Sequence, residues 1–187
     1  MRRKISIDDS WTVPAVEFVP NDAPNVAIVF GDGGRAALAS IVKSRLAAGD
    51  RVLAVDPLAF GESYQGVEAM ELQMLATVGE RPLGIQAAQL AALAAWMRQN
   101  HPRASVTLVA TGPRASIVAL VTAAVAPGLF SEVVVQDSWD SLTEFIHQNL
   151  QYKDAPEVAC FGLLQEFDVP HLEALAAPMA VSRVGGD

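Results

Sequence analysis

Val26-Ala27-Ile28-Val29-Phe30, closed by Gly31-Asp32-Gly33-Gly34, is a continuous apolar run that ends in a turn. A strand that is apolar at successive positions has both faces covered, the mark of a strand inside a parallel sheet. Arg35 to Ala48 then carries Leu38, Ile41, Val42 and Leu46 at helical spacing and stops at Gly49, a residue that tolerates the left-handed turn at a helix end. Arg51-Val52-Leu53-Ala54-Val55-Asp56 follows as a second buried strand. Strand, helix and strand in this order form a βαβ unit, which predicts parallel pairing with a right-handed crossover.

The same alternation extends outward from this unit. Upstream, Val13 to Val19 partly alternates apolar and polar residues, as a half-buried strand does, and ends at Pro20 and the polar run Asn21-Asp22-Ala23-Pro24-Asn25. Downstream, Leu83 to Gln99 keeps Leu83, Ala87, Leu90, Ala94 and Met97 to three- and four-residue steps, predicting a helix, and Ser105 to Ala110 predicts the next strand. Ser116 to Ala126 reads as a helix apolar on nearly every side, and Glu132 to Gln136 as a strand. A helix from Ser141 to Leu150, a linker with Pro156, a short helix from Pro170 to Ala176 and a strand from Met179 to Val184 complete the pattern. The expected fold is a single domain over residues 1–187: a three-layer α/β/α sandwich with a mostly parallel sheet, preceded by an antiparallel strand or hairpin. Ligands of such sheets bind beyond the carboxyl ends of the strands, so the loops that start at Gly31, Asp56, Thr111, Asp137 and Gly185 are where chemistry is expected.

Composition narrows the function. The 187 residues are 51% hydrophobic and 18% charged, which suits a folded core rather than a disordered chain. A chain of this length buries roughly 70% of its unfolded surface, and the lone Cys160 cannot form an internal disulfide, so packing must hold the fold. With 13 Lys and Arg against 21 Asp and Glu, net charge −8, nucleic acid and anionic membrane are not expected partners. The largely apolar stretch Ile117 to Ala126, interrupted only by Thr122, is too short for a membrane span. Met1-Arg2-Arg3-Lys4 is followed by only three residues before Asp8-Asp9, too few for a signal sequence, so the chain as given reads as cytoplasmic, with the compartment unknown for a fragment of a secreted parent.

Four pieces carry a family resemblance. They are Gly31-Asp32-Gly33-Gly34, the segment Val52 to Ser63 with its Asp56-Pro57-Leu58-Ala59-Phe60-Gly61-Glu62-Ser63, the turn Thr111-Gly112-Pro113-Arg114-Ala115, and Asp168-Val169-Pro170-His171-Leu172 running to Ala177-Pro178. On these the sequence resembles an α/β-hydrolase and is similar to acetyl xylan esterase-like proteins. The resemblance implies an α/β-hydrolase-like sandwich truncated at its carboxyl-terminal end, a structural loop at Asp56 to Ser63, and an oxyanion-loop position at Gly33 and Gly34, where glycines let backbone N–H groups approach a developing negative oxygen. A tight turn after a strand explains the same glycines.

The turn before the buried helix bears most on activity. A hydrolase of this kind needs Gly-x-Ser-x-Gly there, with the serine on a strained corner. Thr111-Gly112-Pro113-Arg114-Ala115 offers two registers. Pro113 at the corner brings no hydroxyl and a fixed negative φ. Gly112 at the corner suits a positive φ but has no side chain, and Pro113 then lacks the N–H that would face the oxyanion, while starting the helix as proline favours. The second register is the expected one. Ser116 lies a helical turn further in and Ser63 has no neighbouring histidine in sequence; both are weighed as relocated nucleophiles and both are read first as structural. Asp187 and Asp137 are candidate acids and equally ordinary loop residues. No histidine follows Asp187, and His101, His147 and His171 all lie on or beside helices, away from the position the resemblance assigns to a base.

Trp139 and Arg114 are the candidate ligand contacts, the first by stacking on a sugar ring, although Trp11, Trp96 and Trp139 all suit ordinary packing. Cys160 reads as an inert buried thiol and Asp8-Asp9 as a solvated pair, so neither metal nor cofactor is expected. A nucleotide loop at Gly31 to Gly34 fails the Gly-x-Gly-x-x-Gly spacing at Ala36. The expected function is a degenerate, non-catalytic domain of carboxylic-ester hydrolase lineage. It would bind a small ester or carbohydrate, pack on a partner domain or form a homo-oligomer. The alternative is an active small carboxylesterase that uses Ser116 or Ser63.

Overall fold

The computed structural model describes residues 1–8, 10–21, 23–64 and 69–185. Seven strands form one sheet: β1 (Arg2–Ile7), β2 (Trp11–Phe18), β3 (Val26–Gly31), β4 (Arg51–Val55), β5 (Val106–Thr111), β6 (Glu132–Gln136) and β7 (Ala180–Val184), in the order β1-β2-β4-β3-β5-β6-β7. The β1–β2 hairpin is antiparallel and β2 joins β4 antiparallel, while β4, β3, β5, β6 and β7 are mutually parallel. Helices α1 (Ala39–Ala47), α2 (Ala69–Met74), α3 (Pro82–Asn100), α4 (Pro113–Val125), α5 (Glu144–His147), α6 (Leu163–Glu166) and α7 (Val169–Leu175) connect them.

Alternating strand residues divide the core into two layers, as the period of a pleated strand requires. Ile28, Phe30, Leu53, Val55, Leu108, Ala110, Val133 and Val135 pack with α3, α4 and α7. Ala27, Val29, Val52, Ala54 and Val109 pack with Leu38 and Val42 at α1. Every residue of β3 is buried because both of its faces are covered, and the fold is the expected three-layer α/β/α sandwich. Among the described residues no helix is long and apolar enough to cross a membrane.

Two elements depart from the sequence reading, each because a carboxylate takes backbone donors. The helix expected from Arg35 begins instead with a tight 3-10 turn, Arg35–Ala37, and α1 starts at Ala39, since Arg35 gives both its N–H (2.8 Å) and its guanidinium to Asp56. The helix expected over Ser141 to Leu150 shrinks to α5, because the Ser141 hydroxyl and Leu142 N–H donate to Asp168 and because Asn149 turns left-handed at φ 51°. Helix α4 begins at Pro113 with Gly112 at the corner, the register expected from the sequence, and its first donors are capped from outside the helix. Helices α2 and α6 and the 3-10 turn Gly61–Tyr64 are additions that no periodicity announced.

Candidate functional site

The corner between β5 and α4 stands at the carboxyl edge of the sheet. Gly112 occupies it with φ 97° and ψ 159°, a backbone state essentially confined to glycine, and Pro113 is the first residue of the helix. Pairing of Gly31 with Thr111 sets the residues after them side by side: Asp32 and Gly112. The Asp32 N–H donates to the Thr111 carbonyl (3.0 Å), and its carboxylate accepts from the Ala115 N–H (2.7 Å) and the Arg114 N–H (3.2 Å). A Cβ on Gly112 would stand 2.5 Å from the Asp32 carboxyl carbon. The space that a corner side chain would fill is therefore already filled, and two of the free donors at the start of α4 are already bonded. Burial pushes the Asp32 carboxyl up. The two N–H groups and the Arg114 charge pull against burial, Glu157 adds to it, and the net direction is above the usual carboxylate range.

Arg114 turns away from the corner into a buried polar cluster. Its guanidinium donates twice to Glu157 (3.0 and 2.8 Å), once to the Ala59 carbonyl (3.2 Å), and lies 4.8 Å over the Phe60 ring. Glu157 is fully buried and also accepts from Gln86 (2.8 Å), which reaches the Leu58 carbonyl as well. Burial opposes the Arg114 charge, but Glu157 outweighs it and holds the guanidinium further up. An arginine engaged in this way is spent on structure, because a fork paired to a carboxylate has few donors left for a ligand.

The loop after β4 is built around Asp56, which is 1% exposed. It accepts from the Arg35 N–H and guanidinium and from the Glu62 N–H (3.0 Å), while the Ser63 hydroxyl donates to its carbonyl (2.7 Å). Gly34, at φ 68°, packs so closely on Gly61 that a Cβ would lie 2.5 Å from the Gly61 Cα, and its N–H is bonded to the Gly31 carbonyl. Gly33 is exposed beside it. Gly34 is thus packed against the Asp56 loop rather than presented to the corner.

The remaining sequence candidates are dispersed. Ser116 is buried in α4 with its hydroxyl 3.5 Å from the Gln136 carbonyl. Asp137 is exposed at φ 54° after β6, and Trp139 is half-buried against the main core with its carbonyl accepting from Arg183 (2.8 Å). Asp187, Asp9 and Asp22 lie outside the described residues. Cys160 is half-buried, and burial pushes its thiol up, against the pull of Arg81. Among the described residues no group of three His, Cys, Asp or Glu side chains could hold a metal ion.

Serine, aspartate and histidine do meet at Ser141, Asp168 and His171. The Ser141 hydroxyl donates to the Asp168 carboxylate (2.8 Å), and the His171 Nδ1 accepts from the Asp168 backbone N–H (3.0 Å). The serine hydroxyl is bonded to the acid and no described bond joins it to the imidazole; Asp168 and His171 form the capping box of α7, and Ser141 adds one more donor to its carboxylate. His101 closes α3, shifted down by burial and by Arg51 against Glu17, at the amino edge of the strands; His147 sits on α5 beside Glu144. None of the three histidines hydrogen-bonds to a residue of the corner among the described contacts.

Asp32 is the residue that sequence reasoning passed over. The available signal was a helix start with glycine at its N-cap and proline at N1, which supplies no side-chain acceptor of its own and calls for one from elsewhere.

No family model matches the chain, and no curated protein matches it in sequence. Solved structures do. A presumed acetyl xylan esterase from Bacteroides fragilis superposes with a TM-score of 0.69 at 14% identity, covering 100% of this chain and 63% of that one. An esterase from Pyrococcus furiosus gives 0.65 at 15% identity, covering 98% and 68%. A thermostable carboxyl esterase from Bacillus coagulans gives 0.58 at 15% identity, covering 94% of this chain, which spans only 55% of that enzyme. Sheet order, the strand-to-helix corner and these superpositions agree, and the chain adopts the α/β-hydrolase fold.

Proposed function

We propose that this domain belongs to the acetyl xylan esterase-like line of carboxylic-ester hydrolases and binds a small ester or carbohydrate without hydrolysing it. One observation carries the reading: the Asp32 carboxylate sits over Gly112 and takes the Ala115 and Arg114 N–H groups. Acyl transfer needs a nucleophile at the corner and N–H donors aimed at the oxygen that becomes negative. Here the corner has no side chain, Pro113 has no N–H, and the anion next to the remaining donors is the protein's own. A second negative oxygen placed there would be repelled rather than stabilised. Ligand contact then falls to Trp139, since Arg114 is held by Glu157.

The test is release of nitrophenol from a short-chain nitrophenyl ester, run beside Ser116→Ala and Ser63→Ala and with an organophosphonate trap read by mass spectrometry. No release above buffer and no adduct is the expected outcome. An adduct on Ser116 or Ser63, with turnover lost in the matching variant, would overturn the reading in favour of a relocated nucleophile.

A further inference from the structure

A cleft of about 710 Å³ lies on the α1 face of the sheet, and no residue of the Thr111 to Ala115 corner lines it. Strand pairing builds one wall: Arg2 pairs with Val16 and Val16 with Ala54, so the three side chains form a row across β1, β2 and β4 on one face. Phe18, two residues along β2, continues that face and is 37% exposed. The opposite wall is the Ala39, Val42, Lys43 and Leu46 stripe of α1, whose spacing puts all four on one side of the helix. The volume falls within the range of small-molecule sites, and the walls are mainly apolar, as such sites require.

Charge selects the occupant. Arg3, Arg35, Arg45, Arg51, Arg114 and Arg183 all pair with carboxylates. At the carboxyl end of the cleft, Arg35 neutralises both Asp56 and Glu62. Arg2 and Lys43 line the same cleft and have no acidic partner among the described residues. In a chain with 21 acids and 13 bases, two unmatched cations on opposite walls of an apolar cleft leave one feature unanswered: an anion attached to hydrocarbon.

We propose that this cleft binds an amphipathic monocarboxylate, its chain lying among Val16, Phe18, Val42 and Leu46 and its carboxylate between Arg2 and Lys43. The site is independent of the reading given to the Gly112 corner.

The experiment is an amide chemical-shift titration of the full chain with decanoate below its micellar concentration, with decanol as the uncharged control. Decanoate should shift amides of residues 39–46 and of β2, and bind more tightly than decanol. The double variant Arg2→Glu with Lys43→Glu should weaken decanoate by about tenfold or more. Ala39→Trp, at an exposed position, should fill the cleft and abolish the shifts with no change in the unfolding midpoint. Equal affinity for decanol, shifts confined to other surfaces, or indifference to both variants would overturn the assignment. So would a dimer in sedimentation that Lys43→Glu dissociates while decanoate shifts nothing, because the cleft would then be covered by a second copy.

Discussion

Two helices begin at the carboxyl edge of the sheet under a carboxylate, and they are built in opposite ways. At α7 the cap is local: Asp168 precedes the helix, accepts from the Val169 N–H (2.8 Å), and is crossed by the bond from its own N–H to His171. At α4 the cap comes from the end of another strand, Asp32, while the residue at the N-cap position is a glycine with no acceptor. Burial pushes both carboxyls up. At Asp168 the Leu142 N–H, the Ser141 hydroxyl, the Val169 N–H and the His171 charge outweigh it, so the group is held below the usual range. At Asp32 burial prevails. A cap that belongs to its own helix is a structural end. A carboxylate carried in from 80 residues away onto the first donors of another strand's helix is a tertiary cap, and it fills the space beside Gly112.

The largest effect should come from filling the corner. Gly112→Ser adds a Cβ at a positive φ and presses it on Asp32, and should cost about 3 kcal/mol or more in urea unfolding. The pair Gly112→Ser with Asp32→Gly should lose less than the single substitution, because the overlap is removed. A loss in the pair equal to that in the single would show that Asp32 does not fill the space beside Gly112. Next comes Arg114→Met, which leaves Glu157 buried without its partner and should cost about 3 kcal/mol. Combining it with Glu157→Gln should recover part of that loss, read in the same unfolding curves.

Asp32→Ala and Asp168→Ala should each cost about 1 to 2 kcal/mol, as lost caps do, and the contrast lies in their pH dependence. Asp168 is depressed in the folded state, so its contribution is present above the unfolded carboxylate range, near about pH 4, and is lost as pH falls through the folded value. Asp32 is raised, so its contribution is fully present below the unfolded value and declines as pH rises through the folded one. Unfolding free energies of the two variants against the parent across acid pH should therefore slope in opposite directions, and parallel slopes would sink the distinction. The smallest effect belongs to His171→Ala, which removes the reciprocal half of the α7 box and should cost about 0.5 kcal/mol or less.

Much of the sheet was legible. Val26 to Phe30 and Arg51 to Asp56 read as buried strands and Glu132 to Gln136 as a strand, because apolar runs of that length have few other solutions, and each holds a strand, the second ending at Val55. The Gly112-Pro113 corner was legible because both residues restrict their own backbone. Ser141 to Leu150 was misread because its helical pattern gives no hint that Asp168 will take the Ser141 and Leu142 donors before a helix can start. Arg114 looked like a free cation near a cleft, and nothing local announces Glu157, which is 43 residues away and buried beside it.

The sequence by itself determined the alternation of strands and helices, the parallel sheet with its antiparallel start, and the missing hydroxyl at the corner. These are written in periodicity and in the φ restrictions of glycine and proline, which act over a few residues. The tertiary structure alone decided what fills the corner. Gly31 pairs with Thr111 across β3 and β5, and that register, a contact between distant segments, brings the Asp32 carboxylate onto Gly112 and the first donors of α4.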